Sequence, residues 1–320
     1  MQSGNPVRYN SYQSDGFYQP LYDDVVESVG CSTALDNLQC LREASYESLN
    51  AAFNTSSAGT WQPIVDGDFV ARWESRQLEE GAFVHVPIIS GANSDEGASF
   101  GSPFVNTTES FINAATGNTT PARLPEQFGP ELPTVYPLEP EYYIPSPSQL
   151  PLTSNSSGEA QLRRSNAYFG DAIFIAHRRG ACETWAVADI PAYCYRFNTI
   201  PNGATNVGHF QEVAFVFDNT DGNGYGDTWG TVNPFADQPR SYYDLAELMS
   251  KSWASFIHDL DPNGFKGRYA DADAWPVYEL DQPQEIVWDA NVTELAVVGA
   301  DTYREEGIRW ILAHALNYNR

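Results

Sequence analysis

The chain has 320 residues, of which 42% are hydrophobic and 13% aromatic, so it is long and apolar enough to bury a sizeable core. It carries 42 acidic residues against 17 basic ones, and the resulting net charge of −25 repels nucleic acid and anionic membrane surfaces. No apolar run approaches the roughly 18 residues that a membrane helix needs. We therefore expect no nucleic-acid partner and no membrane span.

The first part of the chain predicts short helices followed by a buried strand. Residues 21–54 contain several helix-start signals: Asp23 with Asp24, then Thr33, then Ser45. The run from Phe83 to Ser90 is β-branched and almost entirely apolar, which is typical of a strand buried on both faces of a parallel sheet. A brief helix is expected over residues 107–116.

A proline-rich stretch separates these elements from the later ones. Nine of the 21 prolines fall between Pro121 and Pro151, which predicts an irregular surface insertion over residues 121–153. Beyond it, helical periodicity covers residues 159–188, and residues 192–197 alternate like a strand. Two further helices are expected, an amphipathic one after Pro239 that stops at Asp261-Pro262-Asn263-Gly264, and a last one near residues 302–316.

Cysteines and glycosylation sequons favour an extracellular protein. The four cysteines form two local pairs, Cys31 with Cys40 and Cys182 with Cys194, and neither pair has zinc spacing. Cys182 and Cys194 either form a disulfide or remain buried free thiols, because spacing does not reveal geometry. Five sequons are candidate glycosylation sites, at Asn54, Asn106, Asn118, Asn155 and Asn291. Residues 1–20 nevertheless lack the basic and apolar regions of a signal peptide.

An acid and a base stand in the order that a serine hydrolase requires. Glu96 follows the strand predicted to end near Ser90, and His209 follows the next one through a loop. In α/β-hydrolases the acid and the base follow two late strands of the sheet, and the nucleophilic serine comes before both. On spacing alone, a lone acid and a lone histidine in loops are more often ordinary surface residues.

The segments around these two residues resemble a known family. Six blocks occur in order: VPIISGANSDEGASF, PAYCYRFN, GHFQEVAFVFDN, MSKSWASFIHDLDPNG, AWPVY and ADTYREEGI. Together they resemble the later two thirds of a type-B carboxylesterase, the family of cholinesterases and fungal secreted lipases. The segment GCSTALDNLQCLR also resembles the disulfide loop of the fungal lipase branch. The resemblance covers essentially the whole chain.

The resemblance implies a fold, a reaction and roles for particular residues. The expected fold class is α/β: the C-terminal portion of an α/β-hydrolase, with late strands of a mostly parallel sheet and covering helices. Residues 1–320 would form one partial domain of this kind. The implied reaction is hydrolysis of a carboxylic ester through an acyl-enzyme, with Glu96 as triad acid and His209 as triad base. Cys31–Cys40 would be a structural disulfide, and no metal or organic cofactor is implied.

The nucleophile is the main departure from the family. Members carry it in a glycine-flanked elbow upstream of a segment ending in Met-Gln-Ser-Gly, which here is Met1–Gly4. We therefore expect the N-terminal half of the fold, including the serine and the oxyanion loop, to be missing from this sequence and the chain alone to be inactive. The full-length protein would be secreted and act on a small-molecule ester.

Several residues near the acid and base have alternative roles. Ser99 satisfies G-x-S-x-G within Gly97–Gly101, but it follows the acid and stands well after the predicted strand, so we expect a loop serine and not an elbow nucleophile. Glu212 either orients His209 or makes a structural hydrogen bond. Phe100 and Phe215 either line the acyl pocket or belong to the core. The alternative function is a non-catalytic, cholinesterase-like binding or adhesion protein, against which the paired Glu96 and His209 argue.

Overall fold

The computed structural model describes most of the chain, namely residues 1–7, 15–55, 61, 63–117, 122–139, 157–226, 231–265, 272–291 and 294–318. It divides into two compact units. One unit consists of Met1–Ser11 and Glu74–Arg320, and the other of Tyr12–Trp73. Within the described ranges, no helix is both long enough and apolar enough to cross a bilayer.

The smaller unit is helical. It contains α1 (Gln19–Val29), α2 (Asn37–Glu43) and α3 (Tyr46–Phe53). Ser45 caps α3 as predicted, and its side chain accepts a hydrogen bond from the backbone of Ser48. The cap of α2 is Asp36 and not Thr33, and Asp23 and Asp24 lie inside α1, so these two helix starts were predicted wrongly. The Cys31–Cys40 disulfide is present and joins the end of α1 to α2.

The larger unit is built on a four-stranded sheet with the order β1-β2-β3-β4. Its strands are β1 (Ile88–Asn93), β2 (Ala192–Phe197), β3 (Gln284–Trp288) and β4 (Ala296–Ala300). β1 pairs with β2 and β2 with β3 in parallel, whereas β3 and β4 are antiparallel. Met1–Ser3 add a short parallel pairing along β1, where the Ser3 N–H donates to the Gly91 carbonyl oxygen.

The helices of this unit cover both faces of the sheet. They are α4 (Glu74–Glu79), α5 (Thr108–Thr116), α6 (Leu132–Val135), α7 (Ser157–Gly170), α8 (Ala176–Val187), α9 (Val213–Val216), α10 (Arg240–Asp259) and α11 (Glu305–Ala313). Side chains of β2 alternate between the two faces, as in any strand. Tyr193, Tyr195 and Phe197 pack in the cluster that contains α10, whereas Cys194 packs with α8. A disulfide between Cys182 and Cys194 joins α8 to β2, so these two cysteines are not free thiols.

Two predicted elements differ from the structure. β1 begins at Ile88 and continues to Asn93, so it starts five residues later than predicted and places its last residues beside the acid. The described part of the proline-rich stretch, residues 122–139, contains a 3-10 turn and α6, and buries Leu124, Leu132 and Tyr136 completely. Pro130 and Pro133 are tolerated because they stand in short helical turns that need few backbone N–H donors. The remainder of the predicted insertion lies mostly outside the described residues.

One buried ion pair holds the long helical segment in place. α7 and α8 are continuous through a π-helical turn, Asp171–Ile175. The Asp171 carboxylate accepts two hydrogen bonds from Arg304, each 2.7 Å long, and a third from the Tyr136 hydroxyl at 2.8 Å. All three side chains are buried, so the carboxylate and the guanidinium satisfy each other in place of water.

We expect Arg304→Met to destabilise the fold by roughly 3–5 kcal/mol, because it leaves the Asp171 charge buried without its partner. Urea unfolding measures the change. Arg309→Met is the matched control, since Arg309 forms an exposed pair with Glu305 on α11 that is worth only about 0.3–0.5 kcal/mol. Equal effects of the two substitutions would contradict the importance of the buried pair.

Candidate active site

The loops that follow β1 and β2 meet at the carboxyl edge of the sheet. Because the two strands are parallel neighbours, their carboxyl ends lie side by side. The backbone N–H of Ser94 donates to the carbonyl oxygen of Phe197 over 3.0 Å, and that of Asp95 donates to Val207 over 2.9 Å. These two bonds hold the loop carrying Glu96 against the loop carrying His209.

Glu96 and His209 form a direct hydrogen bond. His209 Nδ1 lies 2.7 Å from Glu96 Oε2, although 113 residues separate them in sequence. The carboxylate is fully buried, whereas the His209 side chain is 32% exposed. A neutral imidazole that donates from Nδ1 to this carboxylate has an unprotonated Nε2, which is the nitrogen that accepts a proton in general-base catalysis.

The other oxygen of Glu96 is also held in place. Glu96 Oε1 accepts a 2.7 Å hydrogen bond from the Asn93 backbone N–H, and it also accepts one from the Ser3 hydroxyl. Both donors are buried. The carboxylate thus has a fixed orientation, with Oε2 left to face the imidazole.

Asn93 connects the acid to the segment that carries the base. Its side-chain NH₂ donates to the carbonyl oxygen of Gly208 and to Glu212 Oε2, each over 2.7 Å. Glu212 is therefore anchored to Asn93, and no direct hydrogen bond joins it to His209 within the described residues. Of the two roles considered for Glu212, the geometry favours the structural hydrogen bond, which fixes the backbone on both sides of His209.

Two aromatic rings enclose the imidazole. Phe174, in the π-helical turn, stacks on His209 with centroids 4.9 Å apart and an interplanar angle of 21°. Phe100 meets the ring edge-on at 5.1 Å. Phe100 thus lies at the site, as one of its two predicted roles requires. Phe215 is completely buried against Phe197 and Phe235, so it belongs to the core.

Glycine at position 97 allows the acid loop to pack tightly on α7. A Cβ atom added to Gly97 would overlap the carbonyl oxygen of Asn166 and lie 2.5 Å from the backbone nitrogen of Gly170. Both are backbone atoms of a helix and neither can move aside. The sequence Asp95-Glu96-Gly97 after β1 therefore combines a buried acid with glycine, the one residue type that lets this loop pack so closely on α7.

Burial raises the pKa of two further acidic groups in the segments that carry Glu96 and His209. Burial raises the pKa of Asp95 to about 8, against the opposing charges of Arg304 and Arg163. Burial also raises the pKa of Glu212 to about 6, and the negative charge of Glu96 adds to the shift. Partial burial lowers the pKa of His209, but the hydrogen bond and charge of Glu96, together with the charge of Glu212, outweigh it and leave that pKa above its ordinary value.

The remaining predicted residues are placed as follows. Ser99 is exposed at the end of the 3-10 turn Glu96–Ser99, without the strand before it and helix after it that an elbow nucleophile requires.

Of the five candidate glycosylation sites, Asn54, Asn106 and Asn291 are exposed, and Asn118 and Asn155 lie outside the described residues. Both ends of the Asn291 carboxamide are hydrogen-bonded, to the Ile200 N–H and the Tyr242 hydroxyl. Among the described residues, no cluster of His, Cys, Asp or Glu has a metal-binding arrangement.

We expect Glu96→Gln to lower the pKa of His209, because burial then acts with only the charge of Glu212 opposing it. An NMR titration of the imidazole measures this. A histidine with a raised pKa stabilises the fold below the unfolded value of 6.5, and this contribution is lost as pH rises through the folded pKa. The free energy of unfolding that the variant loses through His209 should therefore be largest below pH 6.5, where the protonated histidine stabilises the native fold. Glu79→Gln, in an exposed pair with Arg76, is the control and should leave the titration unchanged.

We expect Glu212→Gln to stabilise the fold at neutral pH. The amide oxygen can still accept from Asn93, but the buried charge is gone. An acid whose folded pKa is raised loses stability as pH rises from its unfolded value of 4.5 to about 6. The variant should match the native chain at pH 4 and exceed it by roughly 2 kcal/mol at pH 7 in urea unfolding. A less stable variant at pH 7 would show that the carboxylate charge itself is favourable.

Comparison with known proteins identifies the family of the chain. The chain matches the Carboxylesterase family over residues 1–302. It is 26% identical to Secreted lipase 4 of Gibberella zeae, covering 97% of this chain and 53% of that protein. It is 27% identical to Secreted triacylglycerol lipase LIP1 of the same organism, covering 98% of this chain and 50% of the lipase.

A solved structure supports the fold. The crystal structure of EstA from Aspergillus niger superposes with a TM-score of 0.69 at 20% identity, covering all of this chain and 58% of that one. The chain thus has the mixed, partly parallel sheet of an α/β-hydrolase and spans about half the length of the lipases that it matches. With the family match extending over residues 1–302 and the acid–base pair at the carboxyl edge of the sheet, the chain belongs to the carboxylesterase family.

Proposed function

We propose that this chain supplies the acid and the base of a Ser-His-Glu triad that hydrolyses carboxylic esters. The observation that carries the proposal is the 2.7 Å bond between His209 Nδ1 and a completely buried Glu96 that two further donors hold in position. A binding or adhesion protein would have no use for a buried carboxylate so firmly aligned on a half-exposed imidazole. The names of the two Gibberella zeae lipases point in the same direction.

Each half of the proposed reaction includes two proton transfers at His209 Nε2. A serine hydroxyl attacks the ester carbonyl carbon, forming a new C–O bond while its proton passes to Nε2. The bond between the carbonyl carbon and the alcohol oxygen then breaks, and the alcohol oxygen takes that proton. Water repeats the sequence on the acyl-serine and releases the acid. Glu96 stabilises the imidazolium in each half without taking its proton.

We assign the nucleophile to neither Ser99 nor Ser3. Ser99 lies in the loop after the acid, and Ser3 donates its hydroxyl to Glu96 instead of to the base. We propose that another part of the complete protein supplies the serine and the oxyanion donors, and that residues 1–320 alone are inactive. The substrate would be a small-molecule ester.

We also propose that the complete protein is extracellular. Both relatives in Gibberella zeae are named as secreted, and the structure contains two disulfides, which form in oxidising compartments. The exposed sequons at Asn54 and Asn106 suit the same environment.

The test compares two expressed proteins. One is residues 1–320, and the other, the longer product, also includes any coding sequence that adjoins this region in the genome. We expect residues 1–320 to show no turnover of p-nitrophenyl butyrate and no labelling by a fluorophosphonate. We expect the longer product to be active, and His209→Asn to lower its kcat by at least about 1,000-fold because proton transfer is lost. Ester hydrolysis by residues 1–320 that Ser99→Ala abolishes would overturn the assignment of the nucleophile. Full activity of the longer product with His209→Asn would overturn the proposed function.

A further inference from the structure

The turn that carries Phe174 departs from ordinary helix geometry. Residues Asp171–Ile175 form a π-helical turn between α7 and α8, and all five of them are buried. Such turns are rare, occur mostly as single turns inside α-helices and are frequent at functional sites. A π-helical turn holds more residues than an α-helical one, so it changes the direction in which the side chains of that turn point. In this chain it brings the Phe174 ring onto the base.

The rings of Phe174 and His209 meet face to face. Their centroids are 4.9 Å apart and their planes differ by 21°. The two nitrogens of an imidazole direct their protons and lone pairs within the plane of the ring. A ring stacked on the face therefore leaves Nδ1 to bond Glu96 and Nε2 to accept a proton. Phe174 thus contacts the base at close range without obstructing either nitrogen.

The stack has an electrostatic effect that an aliphatic side chain would not provide. Burial disfavours the charged form of an imidazole, and the partial burial of His209 acts in that direction. The face of an aromatic ring is electron-rich, so it attracts a cation held within about 6 Å of its centroid. A leucine at the same position would exclude water but would offer no such face. In the proposed reaction the imidazole becomes positively charged in each half.

We propose that the Phe174 ring stabilises the imidazolium form of His209 through a cation–π contact that the π-helical turn sets. This inference rests on the proposed function of His209 as the general base. Phe174 acts through the base and is in this sense a positioning residue for the charge that the reaction creates. The charges of Glu96 and Glu212 act on the same imidazole, and the aromatic face adds to them without bringing another carboxylate into the site.

The test replaces Phe174 by pentafluorophenylalanine, incorporated at that position of residues 1–320. The fluorinated ring has nearly the same shape, but its face is electron-poor and no longer attracts a cation. An NMR titration measures the acid dissociation constant of the His209 imidazolium. We expect that constant to rise roughly threefold, as the loss of a cation–π contact at a partly exposed site predicts. Phe174→Leu should raise it in the same direction, because leucine keeps the site apolar and lacks the aromatic face.

Pentafluorophenylalanine at position 111 is the matched control. Phe111 is completely buried, and the Arg164 guanidinium carbon lies 4.8 Å from its ring centroid, so the same change weakens a cation–π contact elsewhere in the unit. It should leave the His209 titration unchanged. The NMR signal of the Nδ1 proton that is bonded to Glu96 reports whether the base keeps its place, and we expect this signal in every variant.

An unchanged dissociation constant in the fluorinated Phe174 variant would overturn the inference, as would an equal rise in the Phe111 variant. Loss of the Nδ1 proton signal would also overturn it, because the ring would then act on the orientation of His209 and not on its charge. The titration requires no turnover. Failure of the longer product to hydrolyse esters would count against the proposed function and leave these dissociation constants as measured, so the two failures are distinguishable.

Discussion

The buried carboxylate of Glu96 is the constraint on which the site depends. A charged group removed from water must be compensated by hydrogen bonds, or it costs several kcal/mol. Glu96 has three partners, and they come from separate parts of the chain: Ser3 beside β1, the backbone of Asn93 at the end of β1, and His209 after β2. The orientation of His209 therefore follows from the need of the buried Glu96 carboxylate for hydrogen bonds. A shift of any one of these segments would remove one of the three hydrogen bonds from that carboxylate.

The sheet and the π-helical turn bring these partners together, and only part of this was predictable. The strand β2, the helix α10 and the loop positions of Glu96 and His209 follow from hydrophobic periodicity and chain order. β3 and β4 gave no clear signal, because each is only five residues long, and the partner that places β3 in the sheet, β2, is distant in sequence. The π-helical turn that stacks Phe174 on His209 depends on a buried pair, Asp171 with Arg304, whose members lie 133 residues apart.

Ser3 and Asn93 show most clearly where sequence reasoning stopped. Both are small polar residues whose contribution is a hydrogen bond to a residue that another part of the chain supplies. Asn93 had a weak signal, since it ends a strand only three residues before the predicted acid. Had β1 been predicted to continue past Ser90, the polar side chain at its carboxyl end would have been a natural partner for the loop after β2. The error in the strand boundary thus concealed the residue that joins the two loops.

The electrostatics of the site follow from the same burial. Glu96 and Glu212 are the two acidic groups whose charges act on the imidazole. Burial raises the pKa of Asp95 to about 8, so this carboxyl is mostly neutral at pH 7, while Glu212, near 6, is mostly ionised and held by Asn93. Because the charge nearest the imidazole belongs to Glu96, the pKa of His209 is raised mainly by a partner whose geometry is fixed. Glu212 contributes its charge without competing for the ring, since no hydrogen bond joins it to His209 within the described residues. A single hydrogen-bonded acid can therefore select the tautomer of the base, even though the acidic residues around it outnumber the basic ones.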